Sequence, residues 1–327
     1  MDFQLTDDQT ALQSGVRSFC EGRVPVEQLP EIVNQGGFDR DLWGEVAELG
    51  VFALRLSEDD GGVGLGAADA VLVFAELGRR LVPGPMVWSH LAAGLIDGAD
   101  TGEVVVGGLD LRCEQRSVIL VEHLDALDTL MVLRDDGVYQ IDPRTLKAES
   151  VAVPLDPLTP MHHVAQLPAG DRIGDAGDAA RIWTDGGAIA AAQLLGIAEA
   201  TLEMAADYAL KREQFDRIIG GFQAVKHMLA DMFVRQEVAR AAVYAAGATI
   251  DDPVVGDVAR AASVAKLVAG DAAMKNSRAC IQVHGGMGYT WEVPAHYYLK
   301  RTWVLESIFG TCEEHETRIA DQITAGR

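Results

Sequence analysis

The chain has 327 residues, 49% of them hydrophobic, enough for two or three domains around a sizeable core. Its formal net charge of −22 argues against nucleic acid and anionic membrane surfaces as partners. The longest apolar runs are broken by charges or glycine, and MDFQLTDDQ has no basic region before an apolar core. Neither a membrane span nor a signal peptide is therefore expected.

Residues 1–102 read as a helical domain. Thr6 is placed to cap a helix that carries Leu12, Val16 and Phe19 on one face. Trp43, Val46, Ala47 and Leu49 suggest a second helix, ending at Gly50. Ala68 to Leu81 suggests a third, stopped by Pro83-Gly84-Pro85. Gly62-Val63-Gly64, between them, lacks the third glycine and the βαβ surroundings of a dinucleotide fingerprint.

Residues 103–175 change period and predict a small β domain. Short apolar and β-branched runs occur at 103–106, 117–121, 129–133, 138–141 and 149–153, with a turn at Asp135-Asp136-Gly137. His162 and His163 are adjacent and have no ligand-spaced partners, so no metal site is expected. Cys20, Cys113, Cys280 and Cys312 form no C-x-x-C pair. They are expected to be reduced thiols, packed as small apolar groups, in a cytoplasmic protein.

Residues 176–327 predict a helical bundle, with long Ala-rich runs at 188–211, 222–249 and 253–283 and a break at Asp252-Pro253. Lys211 and Arg212 close the first run, where cations suit the helix dipole. Gly220-Gly221 then breaks the chain before Phe222, Val225, Met228, Leu229 and Met232 begin a new helical face. The connection therefore holds Arg212, Gln214 and Phe215, with Gln223 just beyond. It reads either as a solvated turn of a helical hairpin or as a nucleotide site, since Arg suits phosphate and an aromatic can cover a base. Gln282 to Tyr289, QVHGGMGY, reads either as a helix C-cap at Gly285 or as bare backbone that a ligand can approach.

Taken together, R-x-Q-F, F-Q with L-A-D-M, and Q-x-x-G-G-x-G-Y resemble the acyl-CoA dehydrogenase family. The N-terminal W-x-E-x-x-x-L-G, E-x-x-G-G-x-G-L-G and E-L-G-R patterns are similar to its N-terminal domain, and L-D-P-L-T at Leu155 to a segment late in its β domain. The resemblance implies an α+β, mostly helical fold: an N-terminal helical domain, a reduced middle β domain and a C-terminal four-helix-type bundle. It also implies that Arg212, Gln214, Phe215, Ile219, Gln223, Gln282, Val283, Gly285 and Gly286 touch the adenosine diphosphate end of FAD held mainly by a neighbouring subunit.

The departures from the family pattern define the expected role. The flavin-ring segments resembling T-E-P-x-A-G-S-D and W/I-x-T/S-N/G are absent between Pro85 and Asp175. The family's base, the Glu of E-G-T-S, is replaced in Phe309-Gly310-Thr311-Cys312. Its alternative location, about 26 residues before Arg212, falls on Gly186, with Gly187 in place of a CoA-binding Arg. Asp185 lies one residue away and is read first as a helix N-cap. The run after G-G-x-G-Y has Tyr297 for an Arg and Arg301 for an Asp. These departures resemble the short, non-catalytic subunit of the actinobacterial α2β2 acyl-CoA dehydrogenases that act in steroid side-chain degradation. A homologous full-length partner would then supply the base, the ring contacts and most of the acyl-CoA site. The rival readings are an active homo-oligomer with Asp185 as base and a flavin-free scaffold.

Overall fold

The computed structural model describes residues 4–112 and 118–325 and places helices at both ends of the chain with strands between them. Cys113 lies outside the described residues. α1 (Asp7–Arg23) starts from a full capping box: Thr6 accepts the Gln9 N–H and the Gln9 side chain accepts the Thr6 N–H. α2 (Leu29–Asn34) is a short turn that the apolar pattern does not reveal. α3 (Arg40–Glu48) is capped by Asp39 and stops before Gly50, whose φ is +82°. α4 (Ala67–Arg79) falls where expected, and α5 (Met86–Ala92) follows Pro85.

Among the described residues seven strands follow: β1 (Val106–Asp110), β2 (Ile119–Glu122), β3 (Thr129–Arg134), β4 (Gly137–Ile141), β5 (Ala148–Ser150), β6 (Met161–Val164) and β7 (Asp171–Asp175). They form a four-stranded sheet ordered β1-β3-β4-β7 and a three-stranded sheet ordered β2-β6-β5. Among the described residues, only the β1–β3 pairing is parallel. The first strand begins at Val106 rather than 103, because Gly107-Gly108 masks its signature. A Cβ at those positions would meet Leu127 at 2.4 Å and Trp88 at 2.1 Å, so only glycine fits there.

The chain divides into two compact units. One comprises Pro30–Ala70 and Pro83–Gly186. Its core includes Val121, Leu130, Val132 and Val138 from the strands, and Trp43 and Phe52 from the helical side. The Trp43 ring packs on Phe52 at 4.5 Å while its indole N–H donates to Gly102 O at 3.1 Å.

The other unit comprises Met1–Leu29, Val71–Val82 and Gly187–Arg327. It is built from α1, most of α4, α6 (Ala176–Lys211) from Gly187 onward, α7 (Gln223–Asp251), α8 (Val258–His284), α9 (Ala295–Ser307) and α10 (Cys312–Ala325). α4 and α6 pack backbone to backbone: a Cβ at Gly196 would sit 1.9 Å from Ala75 O, and one at Gly78 2.2 Å from Gln193 O. α6 is long and apolar enough to cross a membrane, but 83% of its most apolar window is buried, which marks a core helix.

α6 corrects one expectation. It starts at Ala176, where Asp175 and Asp178 exchange bonds between main-chain N–H and carboxylate at 3.0 Å. Asp185 therefore lies well inside the helix and is no N-cap. Gly177, Gly186 and Gly187 lower helix propensity and hide these first turns from a pattern search.

Candidate functional site

The chain leaves α6 through a β-hairpin, β8 (Glu213–Gln214) and β9 (Arg217–Ile218), rather than through a simple turn. Glu213 pairs with Ile218 and Gln214 with Arg217. The two residues between them, Phe215 and Asp216, have φ of +54° and +60°, as a two-residue type I′ turn requires. The Arg217 guanidinium lies 3.8 Å from the centroid of the Phe222 ring and anchors the hairpin from below. Phe215 projects from the tip, 88% exposed. Arg212 is exposed, and its side chain has no ion-pair or hydrogen-bond partner among the described residues. Its carbonyl accepts the Ile219 N–H at 2.8 Å.

The second stretch lies at the end of α8. Gly285 adopts φ +60° and ψ −135°, a conformation open only to glycine. A Cβ at Gly285 or Gly286 would meet nothing within 4 Å, so neither glycine is required by packing within this chain. They leave a bare main chain facing open space. Gly288 differs, since its Cβ would lie 2.5 Å from Ile281 O. Gln282 is exposed, whereas Val283 is buried, so Val283 can offer a ligand only its main chain.

One apolar core joins the two stretches. Ala205 and Ala209 of α6, Met232 of α7 and Ile281 and Val283 of α8 pack together, with Ile219 and Tyr208 at the edge. The Tyr208 and His284 rings stack at 4.2 Å. Gln223 is exposed at the start of α7, and its amide meets the His227 ring at 3.1 Å. Among the described residues, an unpaired arginine, side-chain amides and bare glycine backbone thus offer donors of the kind that suit a phosphate, beside an exposed aromatic ring.

A different arrangement occupies the places named for a catalytic base. Phe309 is 1% exposed with φ +53°, and Gly310 follows at φ +95°. The buried Lys266 Nζ donates to Glu306 O at 3.2 Å, Ile308 O at 2.8 Å and Gly310 O at 3.0 Å. Burial pushes this ammonium down to about 8. The His315 Nε2 meets Phe309 O at 2.9 Å. Burial lowers the His315 pKa to about 4, so the ring is neutral at pH 7 and donates from Nε2. A Cβ at Gly187 would lie 3.8 Å from the His315 ring and 4.0 Å from Phe309 O. Gly187, which stands where the resemblance expects a CoA-binding Arg, thus lies beside the Phe309 loop, and Phe309 carries no carboxylate.

Three further features lie outside the sequence reading. Cys312 is only half-buried and donates to Glu306 Oε1 at 3.2 Å, so it is a hydrogen-bonding thiol rather than plain packing. Burial first, and then Glu306, push its pKa up to about 12. Tyr297, Tyr298 and Arg301 turn inward: the Tyr298 hydroxyl donates to Arg79 O at 3.0 Å and Arg301 to Val82 O at 3.3 Å. The buried Glu199 takes bonds from Arg79 and Arg240, at 3.2 and 2.7 Å, which oppose the upward push of burial on its pKa.

Asp185 has a partner that the sequence does not indicate. Its Oδ2 accepts from Arg55 Nη1 at 2.9 Å, and the side chains are 6% and 26% exposed. The pair borders a cavity of about 140 Å³.

The fold defines the class: α-helices, a middle sheet region and more α-helices in the order found in acyl-CoA dehydrogenases. The ChsE4–ChsE5 complex from Mycobacterium tuberculosis matches with a TM-score of 0.85 at 24% identity, over 99% of each chain. A Tcur3481–Tcur3483 steroid ACAD variant matches at 0.83 and 22% identity, over 98% of each. Residues 6–99 match the acyl-CoA dehydrogenase N-terminal domain family, and residues 185–324 match the C-terminal domain family. Acyl-CoA dehydrogenase IpdE2 of M. tuberculosis is 31% identical over 81% of both chains. Acyl-CoA dehydrogenase FadE34 of the same organism is 29% identical over 98% of this chain, which spans only 49% of FadE34. The chain belongs to the acyl-CoA dehydrogenase family.

Proposed function

We propose that this chain is one subunit of a heteromeric, FAD-dependent acyl-CoA dehydrogenase. In this reading Arg212, Gln214, Phe215, Ile219, Gln223, Gln282 and the main chain from Val283 through Gly285 to Gly286 hold the adenosine diphosphate end of FAD. Bound FAD supplies the acceptor for the hydride that leaves the β-carbon of an acyl-CoA thioester. A homologous full-length partner, in an α2β2 assembly, supplies the base, the flavin-ring contacts and most of the acyl-CoA site. The assignment rests on the contrast between two sites. The Arg212 and Gly285–Gly286 surface is open and carries unused donors, while the base position holds a buried phenylalanine, Phe309.

An exposed apolar face of α7 supports a partner. Phe233, Val234 and Val238 are each more than half exposed and fall at helical spacing on one side. That two of the similar structures are named as pairs of chains supports a heteromer, and that one is named a steroid ACAD supports a steroid side-chain CoA ester as substrate class.

The test is co-expression with the neighbouring reading frame, followed by measurement of flavin per chain and of acyl-CoA oxidation. The expected result is FAD retained by the pair and not by this chain alone. A yellow, active preparation of this chain alone would favour a homo-oligomer with Asp185 as base. A flavin-free pair would favour a scaffold.

A further inference from the structure

The cavity beside Asp185 has a chemistry of its own. Asp185 is almost fully buried, yet its Oδ1 has no hydrogen-bond partner among the described residues, while Oδ2 is held by Arg55. Arg55 uses a single N–H in this pair, and its other donors have no protein acceptor among the described residues. The rest of the lining comes from Phe52 and Leu91, which are buried, and from the part-exposed Leu56 and Ala93. His90 also lines the space, with its Nδ1 2.8 Å from Val51 O. Burial lowers the His90 pKa to about 4, so the ring adds no charge at pH 7. Arg181, at the mouth, is engaged by Asp178 at 3.2 Å.

We propose that this cavity binds a small uncharged molecule that presents one hydroxyl group to the Arg55–Asp185 pair and lays a short apolar body on Leu56, Leu91 and Ala93. A hydroxyl both donates and accepts, so it meets Asp185 Oδ1 and a free Arg55 N–H together. An ionised ligand would be repelled by one member of the pair and would have to break a largely buried ion pair to bind, which is costly. Water satisfies the polar end equally well but leaves the part-exposed Leu56 and Ala93 wet, and a ligand with a short apolar body removes that surface from solvent. The volume of about 140 Å³ is below the roughly 300–1,000 Å³ of drug-sized pockets, so the ligand, or the inserted end of a larger one, is small. Asp185 then serves as a receptor for a hydroxyl and not as a base. The inference does not depend on FAD binding or on a partner chain.

The test uses the full chain and isothermal titration or ligand-observed NMR with isobutanol, isobutyl chloride, isobutyrate and isobutylamine. Isobutanol should bind saturably, at least about tenfold more tightly than the other three. Leu91→Phe fills the cavity without touching the ion pair and should abolish binding. The double variant Arg55→Met with Asp185→Leu should bind alcohol and chloride equally. Absence of saturable isobutanol binding would mean that the cavity holds water only, and would overturn the proposal. Equal binding of alcohol and chloride by the unaltered chain would overturn it too, as would unchanged binding in Leu91→Phe.

Discussion

Lys266→Met is the sharpest probe of how the Phe309 loop is held. Lys266 is 2% exposed, and its ammonium is the common donor to the carbonyls of Glu306, Ile308 and Gly310. Hydrogen bonds from a charged donor contribute about 1.5–3 kcal/mol each, and a buried carbonyl left without its donor costs about 1–3 kcal/mol. Against this stands the cost of burying the charge. A pKa lowered from 10.5 to about 8 corresponds to roughly 3 kcal/mol. Methionine keeps the apolar stem, removes the charge and deprives three carbonyls of their donor, so the net destabilisation should be about 2–5 kcal/mol. Urea unfolding followed by tryptophan fluorescence measures it, and hydrogen exchange over residues 305–312 should show the loop opening. The pH dependence gives a second readout. Between about 8 and 10.5 the unfolded chain holds a proton at Lys266 that the folded chain has released, so folded-state stability rises with pH across that window. Methionine cannot do this, and the gap between wild type and variant should widen there by up to about 3 kcal/mol. A loss below about 1 kcal/mol at pH 7, or a gap that stays flat from pH 8 to 10.5, would refute the reasoning.

Arg212→Ala should lower FAD retention by the co-expressed complex by about 2–5 kcal/mol, seen as flavin loss on dilution and partial rescue by added FAD. Gln282→Ala should act in the same direction by only about 0.5–1.5 kcal/mol, as a neutral hydrogen bond does. Phe309→Glu should create no new activity in the complex, because the flavin-ring segments are still missing, and steady-state rates with saturating acyl-CoA check this. Asp185→Asn should leave turnover of the complex within about twofold, and a hundredfold loss with FAD retained would make Asp185 the base after all. Acid should destabilise the fold between about pH 6.5 and 4: His90 and His315 have folded pKa values near 4, so the unfolded chain takes up their protons first. Leu or Phe at either position should flatten that slope in thermal melts.

Much of the fold is legible because local pattern and burial agree. The capping box at Thr6, the amphipathic face of α3 around Trp43 and the short continuous apolar run of β3 are each a local signature of their element. Elements built on glycine or histidine are hidden. β1 carries Gly107-Gly108, β6 carries His162-His163, and the first turns of α6 carry three glycines. The β8–β9 hairpin escapes because two-residue strands have no period and Phe-Asp is not an Asn-Gly turn signal. The residues of the proposed nucleotide half-site are easy to single out because they are clustered in two short motifs. The Lys266 bonds and the Arg55–Asp185 pair are not, since their partners stand 40 to 44 and 130 residues apart.

The Phe309 loop explains how a base can be lost while the fold is kept. A bulky L-residue in the left-handed region costs roughly 1–2 kcal/mol, and Phe309 is held there at φ +53°. Lys266 fixes the carbonyls on either side of Phe309, and His315 fixes the carbonyl of Phe309 itself, so the geometry is set from outside the loop. The side chain at 309 can then change without moving the backbone. A carboxylate replaced there by an aromatic ring removes a proton acceptor and fills its space with apolar volume, while α8, α9 and α10 stay in place. α8, which supplies Lys266 to the loop, ends at His284, so the same helix also presents the proposed nucleotide half-site at Gln282 to Gly286. Under the proposed function, Lys266 and His315 serve the half-site by holding α8 and the loop, and residue 309 needs no carboxylate.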